Sequence, residues 1–213
     1  MQKEANNIVR MTGTITENFT FNHEMLGEKF YRTFLEVKRR SGASDILPMV
    51  VSERMVDVCR DWIGRHVEIE GQIRSYNHVS YSEGRKNKLI LNVFVTEWKQ
   101  ADEKTDFNEI NEIELFGTIC KEPIYRETSL GREVTDVLIA VNRSYGKSDY
   151  IPCICWGRSA MHMGMQDVGT KISLKGRFQS RNYNKRLCDG TVVTRTAYEV
   201  SMSSYEVIRN EED

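Results

Sequence analysis

The chain has 213 residues, 39% of them hydrophobic, and a formal net charge of −1 from 30 Lys and Arg against 31 Asp and Glu. That length allows one large domain or two of about 100 residues each; no run approaches the ~20 apolar residues of a membrane span and the N-terminus has no apolar signal core, so a soluble, reduced, cytoplasmic protein is expected. Five cysteines without a CxxC pair and four histidines outside metal-ligand spacing argue against a disulfide framework or a zinc site, and no metal or cofactor is expected.

Alternating apolar and polar residues predict strands near Ile8 to Glu17, Phe30 to Arg39 and Ile46 to Ser52, a helix near Glu53 to Ile63, then strands near His66 to Tyr76 and Lys88 to Trp98. The polar segment from Lys99 to Asn108 reads as a linker. A boundary near Lys104 divides the chain into domains 1–104 and 105–213. Beyond it the order recurs: strands near Ile113 to Ile119, Val134 to Val141 and Tyr150 to Trp156, a helix near Ser159 to Gln166, and strands from Lys171 to Arg181 and from Arg195 to Ile208.

The recurrence is visible in the residues themselves. Met11-Thr-Gly-Thr-Ile15 is answered by Leu115-Phe-Gly-Thr-Ile119, Leu26-Gly27 by Leu130-Gly131, and Ser44-Asp-Ile-Leu-Pro48 by Ser148-Asp-Tyr-Ile-Pro152, each 104 residues on. After a one-residue shift, Glu70-Gly-Gln-Ile aligns with Lys175-Gly-Arg-Phe. Two copies of one domain are implied. Five strands with a helix between the third and fourth is the order of an OB-fold, a small Greek-key barrel, so the predicted fold is all-β with two tandem OB-folds.

Chemistry concentrates in the second copy. From Lys171 to Tyr183 the period-2 pattern puts Ile172, Leu174, Gly176 and Phe178 toward a core and Lys171, Ser173, Lys175, Arg177, Gln179, Arg181 and Tyr183 outward. Over residues 140–195 there are ten Lys and Arg against Asp149, Asp167 and Asp189, a local excess hidden by the near-zero total. A solvated charged strand is the plain alternative for such a run. Aromatic residues weigh against it: Tyr145, Tyr150 and Trp156 lie in or just before the neighbouring strand, with Arg143, Lys147 and Arg158 among them, and Lys185 continues the run past Tyr183. Aromatic faces stack on bases of any sequence and cations neutralise phosphates, so the mixture suits single-stranded nucleic acid. Trp156 could instead cap the barrel. Parity opposes that, because Ile151, Cys153 and Cys155 are the residues expected inside, while Tyr150, Pro152, Ile154 and Trp156 share the other face.

Glu112-Ile-Glu-Leu-Phe-Gly-Thr-Ile119, Glu122-Pro123, Tyr125-Arg-Glu-Thr128, Gly131, Leu138-Ile-Ala-Val-Asn-Arg143, Trp156-Gly-Arg158, Gly169 and Gly176-Arg-Phe-Gln-Ser-Arg-Asn-Tyr183 together resemble the bacterial single-stranded DNA-binding protein family along the second half. The resemblance implies base-stacking platforms at Tyr145, Tyr150, Trp156 and Tyr183, and protection of single-stranded DNA in replication, repair and recombination. It also implies a homodimer that assembles four OB-folds, in a bacterial, nucleoid-associated setting.

The first half departs from that pattern. Ser41, Ile46, Ser52 and His78 stand where the four platforms would be, and Glu68, Glu70 and Gln72 answer Ser173, Lys175 and Arg177. Basic character survives in Lys38-Arg39-Arg40, Arg74 and Arg85 to Lys88, and Tyr76 and Tyr81 could still stack. A degenerate OB-fold that packs, dimerises or supports its neighbour is the favoured reading; a DNA-binding face built from other residues is the alternative. The end of the sequence, Arg209 to Asp213, is acidic but lacks the linker and terminal hydrophobic residue through which family members recruit partners, so recruitment of replication or recombination proteins by that route is not expected. No glycine-rich phosphate loop, zinc motif or Ser-His-Asp set suggests an enzyme. The competing reading is a replication-accessory or protein-interaction module whose OB-folds mediate assembly.

Overall fold

The computed structural model describes residues 6–80, 86–101, 109–128, 130–187 and 189–208. The first half comprises β1 (Asn7–Ile15), β2 (Thr20–Met25), β3 (Glu28–Lys38), β4 (Ser44–Ser52), β5 (His66–Ser80) and β6 (Lys86–Gln100). The second comprises β7 (Asn111–Ile119), β8 (Ile124–Glu127), β9 (Glu133–Asn142), β10 (Ser148–Trp156), α1 (Arg158–Gly164), β11 (Lys171–Arg186) and β12 (Val192–Ile208). The boundary expected near Lys104 lies outside the described residues.

Each half closes into a barrel in the same way. β3 pairs with β4, β4 runs parallel to β6, β6 pairs with β5, β5 with β1, and β1 returns to β3 through Thr14↔Glu36 and Ile15↔Leu35. In the second half β7 returns to β9 through Thr118↔Ala140 and Ile119↔Ile139. The repeated Gly-Thr-Ile sequence marks these closures. A Cβ on Gly13 would stand 2.2 Å from the Glu36 carbonyl oxygen, and one on Gly117 would stand 2.5 Å from Ile139 Cγ2. Only glycine lets the two strands approach so closely. Gly13→Ala is therefore expected to lower stability by about 1–3 kcal/mol, the cost of forcing atoms into a packed core. The check is a lower urea midpoint at unchanged slope.

Two features differ from the sequence expectation. Each barrel carries a sixth strand, β2 or β8, which forms a hairpin with β3 or β9 and lies fully exposed. With no buried side there is no apolar alternation to read. The helix expected from Glu53 to Ile63 is absent, and turns replace it. Asp57 and Asp61 accept hydrogen bonds from the N–H groups of Cys59 and Ile63, two residues on, at 3.1 Å each. Such local side-chain acceptors compete with the helical ladder. The buried Trp62 ring anchors the segment by donating Nε1–H to the Asp57 carbonyl at 2.8 Å.

The halves are joined by main-chain pairing. β1 and β7 run antiparallel with Asn7↔Leu115, Val9↔Ile113 and Met11↔Asn111 in register, so all the strands form one twelve-stranded sheet. Val9 and Ile113 are repeat equivalents that face each other, which places a pseudo-two-fold axis between them. The buried core runs through both halves without a break.

Candidate nucleic-acid interface

On β10 the inward residues Ile151, Cys153 and Cys155 are buried, as parity requires, and burial pushes the Cys153 thiol well above its ordinary pKa. The aromatic candidates are all exposed: Tyr145 at 76%, Tyr150 at 45%, Trp156 at 39% and Tyr183 at 38%. Ile154, between Tyr150 and Trp156 on the same side, is buried instead. Tyr150 and Trp156 are six residues apart, which is about 20 Å along a strand at roughly 3.3 Å per residue. Trp156 donates Nε1–H to the Ser201 hydroxyl at 3.1 Å, which fixes the edge of the indole and leaves part of its surface open. Tyr145 sits in the loop after β9, which Arg143 N–H closes onto the Lys147 carbonyl at 2.7 Å with Gly146 at φ 74°. Tyr183 lies on the β11–β12 arm opposite Arg195.

The cations fall into groups. Lys147, Arg158, Lys171, Lys175 and Arg181 are exposed, and Arg177 and Lys185 are half-buried. Lys175 Nζ meets Glu114 at 3.2 Å, an exposed pair of the kind worth little in water. Arg177 donates to Gln179 Oε1 at 3.2 Å, Gln179 Nε2 donates to Glu199 at 2.9 Å, and Arg181 Nε lies 3.5 Å from the same carboxylate. Gln179, expected to face solvent, is in fact buried in this network, and so is Glu199.

Arg143 is engaged at the seam between the halves. Its Nε and Nη2 grip the fully buried Asp149, and Nη2 also donates to the Ser75 carbonyl of the other half at 3.2 Å. Asp149 further accepts from Arg74 Nη1 at 3.1 Å and from the Ser75 N–H at 2.6 Å. Burial alone would raise the Asp149 carboxyl, but the hydrogen bonds from Arg143, the Ser75 backbone and Arg74 outweigh it and hold the pKa below the usual carboxylate range. The Ser75 hydroxyl takes the Tyr150 N–H at 2.7 Å. The pseudo-two-fold axis repeats this clamp. Arg39 grips the buried Asp45, which accepts from the Ser180 N–H at 2.7 Å and from the Ser180 hydroxyl at 3.1 Å, while Arg39 Nη2 donates to the Ser180 carbonyl at 3.1 Å.

Beside Trp156 a cleft of about 410 Å³ is walled by Arg39, Arg132, Arg177 and Arg181, with Ser201 among its lining. Arg132 and Arg39 were not among the expected contacts. The Leu130-Gly131 repeat was the available signal for Arg132, since Gly131 at φ 70° turns the β8–β9 hairpin that presents it. Nothing in the sequence places Arg39 against the other half.

In the first half Ser41, Ile46 and His78 are exposed, and Ser52 is buried with its hydroxyl bonded to Glu28. Glu70 is paired with Arg10 at 3.3 Å. Tyr76 is exposed; Tyr81 and Arg85 lie outside the described residues.

The chain is similar to known proteins. The single-stranded DNA-binding protein B of Bacillus subtilis (strain 168) is 34% identical over 80 residues, 34% of this chain and 71% of that protein. The chain belongs to the single-strand binding protein family. The Single-strand binding protein family model matches residues 110–208, the half that carries Tyr145, Tyr150, Trp156 and Tyr183. A single-stranded DNA-binding protein of Enterococcus faecalis is 32% identical over 97 residues, 42% of this chain and 52% of that protein, so the chain spans only about half the length of some relatives. The crystal structure of the wild-type single-stranded DNA binding protein from Thermus aquaticus superposes over 97% of this chain and 95% of its own, with a TM-score of 0.70 at 17% identity. That likeness fixes the fold across both halves. Among the described residues no helix is long and apolar enough to cross a membrane, and no cluster of metal-ligating side chains occurs.

Proposed function

We propose that this chain binds single-stranded DNA on the outer face of its second half, with little regard to sequence, and protects it during replication, repair and recombination. The observation that carries the reading is Trp156, held at its edge by Ser201 and set against a cleft of four arginines. Bases stack on Tyr145, Tyr150, Trp156 and Tyr183. Phosphates meet Lys147, Arg158, Lys171, Lys175, Arg177, Arg181 and Lys185. The names of the relatives support the same ligand.

The first half supports and assembles. It lacks the platforms, its equivalent outer positions carry Glu68 and Glu70, and its Arg74 and Ser75 hold the second half in place. Two chains associate to give four OB-folds, in the bacterial cytoplasm.

The test is tryptophan fluorescence during titration with an oligothymidine. Trp62 is buried and Trp98 half-buried, so quenching reports Trp156. Log K is expected to fall against log salt with a slope of about −0.7 per phosphate neutralised. No quenching at low salt would favour an assembly module instead, and a salt-independent affinity would remove the phosphate contacts.

A further inference from the structure

The arginine cleft draws on both halves. Arg177 and Arg181 come from β11, Arg132 from the β8–β9 hairpin, and Arg39 from the segment after β3 in the first half. Buried Glu199 and Gln179 steady the two β11 arginines: Gln179 bridges Arg177 to Glu199, and Arg181 leans on the same carboxylate. One acid therefore positions two cations beside the indole, and the cleft keeps a positive excess. Arg132 has no side-chain partner among the described residues. Arg39 spends Nε and Nη2 on Asp45 and Ser180, and its Nη1 is left over. A guanidinium carries five N–H donors, so Arg39 can hold the clamp and still offer donors to a ligand. A second depression against Trp156 is walled by Glu127 and Glu133 as well as Arg132. Its carboxylates would repel an anion, so the sign of charge selects the arginine side.

We propose that this cleft is a phosphate seat shared by both halves, in which Arg39 of the first half and Arg132 of the hairpin grip the backbone phosphate next to the base stacked on Trp156. The seat rests on the proposed binding of single-stranded DNA but makes a separate claim. The first half touches the strand although it has lost its own platforms. A planar fork suits paired contacts to phosphate oxygens at Arg132, which has no other side-chain partner among the described residues, and Arg39 adds the two N–H donors of its Nη1.

Two probes separate the seat from the stacking face: an oligothymidine, and an abasic oligodeoxyribonucleotide that offers phosphates without bases. Arg132→Gln in the full chain is expected to weaken both several-fold at low salt and to make the salt slope shallower by about 0.7, while Trp156 quenching at saturation stays as in the wild type. Arg39→Gln combined with Asp45→Asn removes both charges of the clamp, so no buried carboxylate is stranded. It should produce the same loss in a protein that thermal unfolding shows to be folded. Should that pair fail to fold, Arg39→Lys keeps a cation on Asp45 and is expected to lose affinity for the abasic strand through loss of the Nη1 donors. Wild-type affinity and slope in Arg132→Gln, or in a folded Arg39 variant, would overturn the seat. A wild-type chain that binds the abasic strand without quenching by oligothymidine would remove the stacking reading and leave the seat standing.

Discussion

Asp149→Ala is expected to lower stability by about 3–5 kcal/mol, because removing one partner of a buried ion pair strands the other. Arg143 and Arg74 would lose their shared anion, and the Ser75 N–H its acceptor, at the seam between the halves. The loss is read as a lower denaturant midpoint at neutral pH. Acid gives the complementary check. A carboxyl whose folded pKa is depressed contributes stability that is present in full above its unfolded value, about 3.9, and lost as pH falls through the lower folded value. Wild-type protein should therefore shed this contribution only below about pH 4, whereas the variant carries its deficit at neutral pH and loses less on acidification. A variant as stable as the wild type at pH 7 would mean that Asp149 contributes nothing net.

Trp156→Ala is expected to weaken single-strand binding by about 1–3 kcal/mol, the range for one base stacked on one ring, with the melting temperature changed little. Its ring is partly exposed, and the hydroxyl of Ser201 can turn to water once the indole N–H is gone. Trp156→Phe keeps an aromatic face and should recover part of the affinity without the fluorescence signal. A Trp156→Ala protein that melts many degrees lower, while its folded fraction binds DNA normally, would make the indole a core residue.

Which side a strand residue faces was legible wherever one side is buried. Ile172, Leu174 and Phe178 went in and Lys171, Lys175 and Tyr183 out, as a period of two demands. What later lies over a residue was not legible. Gln179 has outward parity but is covered by Glu199, 20 residues away in sequence, and Arg143 reads as one more cation in a basic run until Asp149 takes it. The clamps join residues far apart along the chain: Ser75 and Asp149 are separated by 74 residues, Asp45 and Ser180 by 135. No local pattern encodes such a meeting. The absent helix is a different failure, in which the recurring order of elements suggested a helix and two aspartates made turns.

Arg10 pairs with Glu70 on the outer face of the first half, and at the repeat-equivalent positions of the second half Glu114 pairs with Lys175. The signs are exchanged across the axis. Two identical subunits related by a true two-fold axis cannot do this, since rotation returns every charge to one of the same sign and cancels any dipole perpendicular to the axis. Covalent joining lifts that restriction. A mutation alters one side only, so matching positions of the two halves can come to carry opposite charges, as Glu70 and Lys175 do.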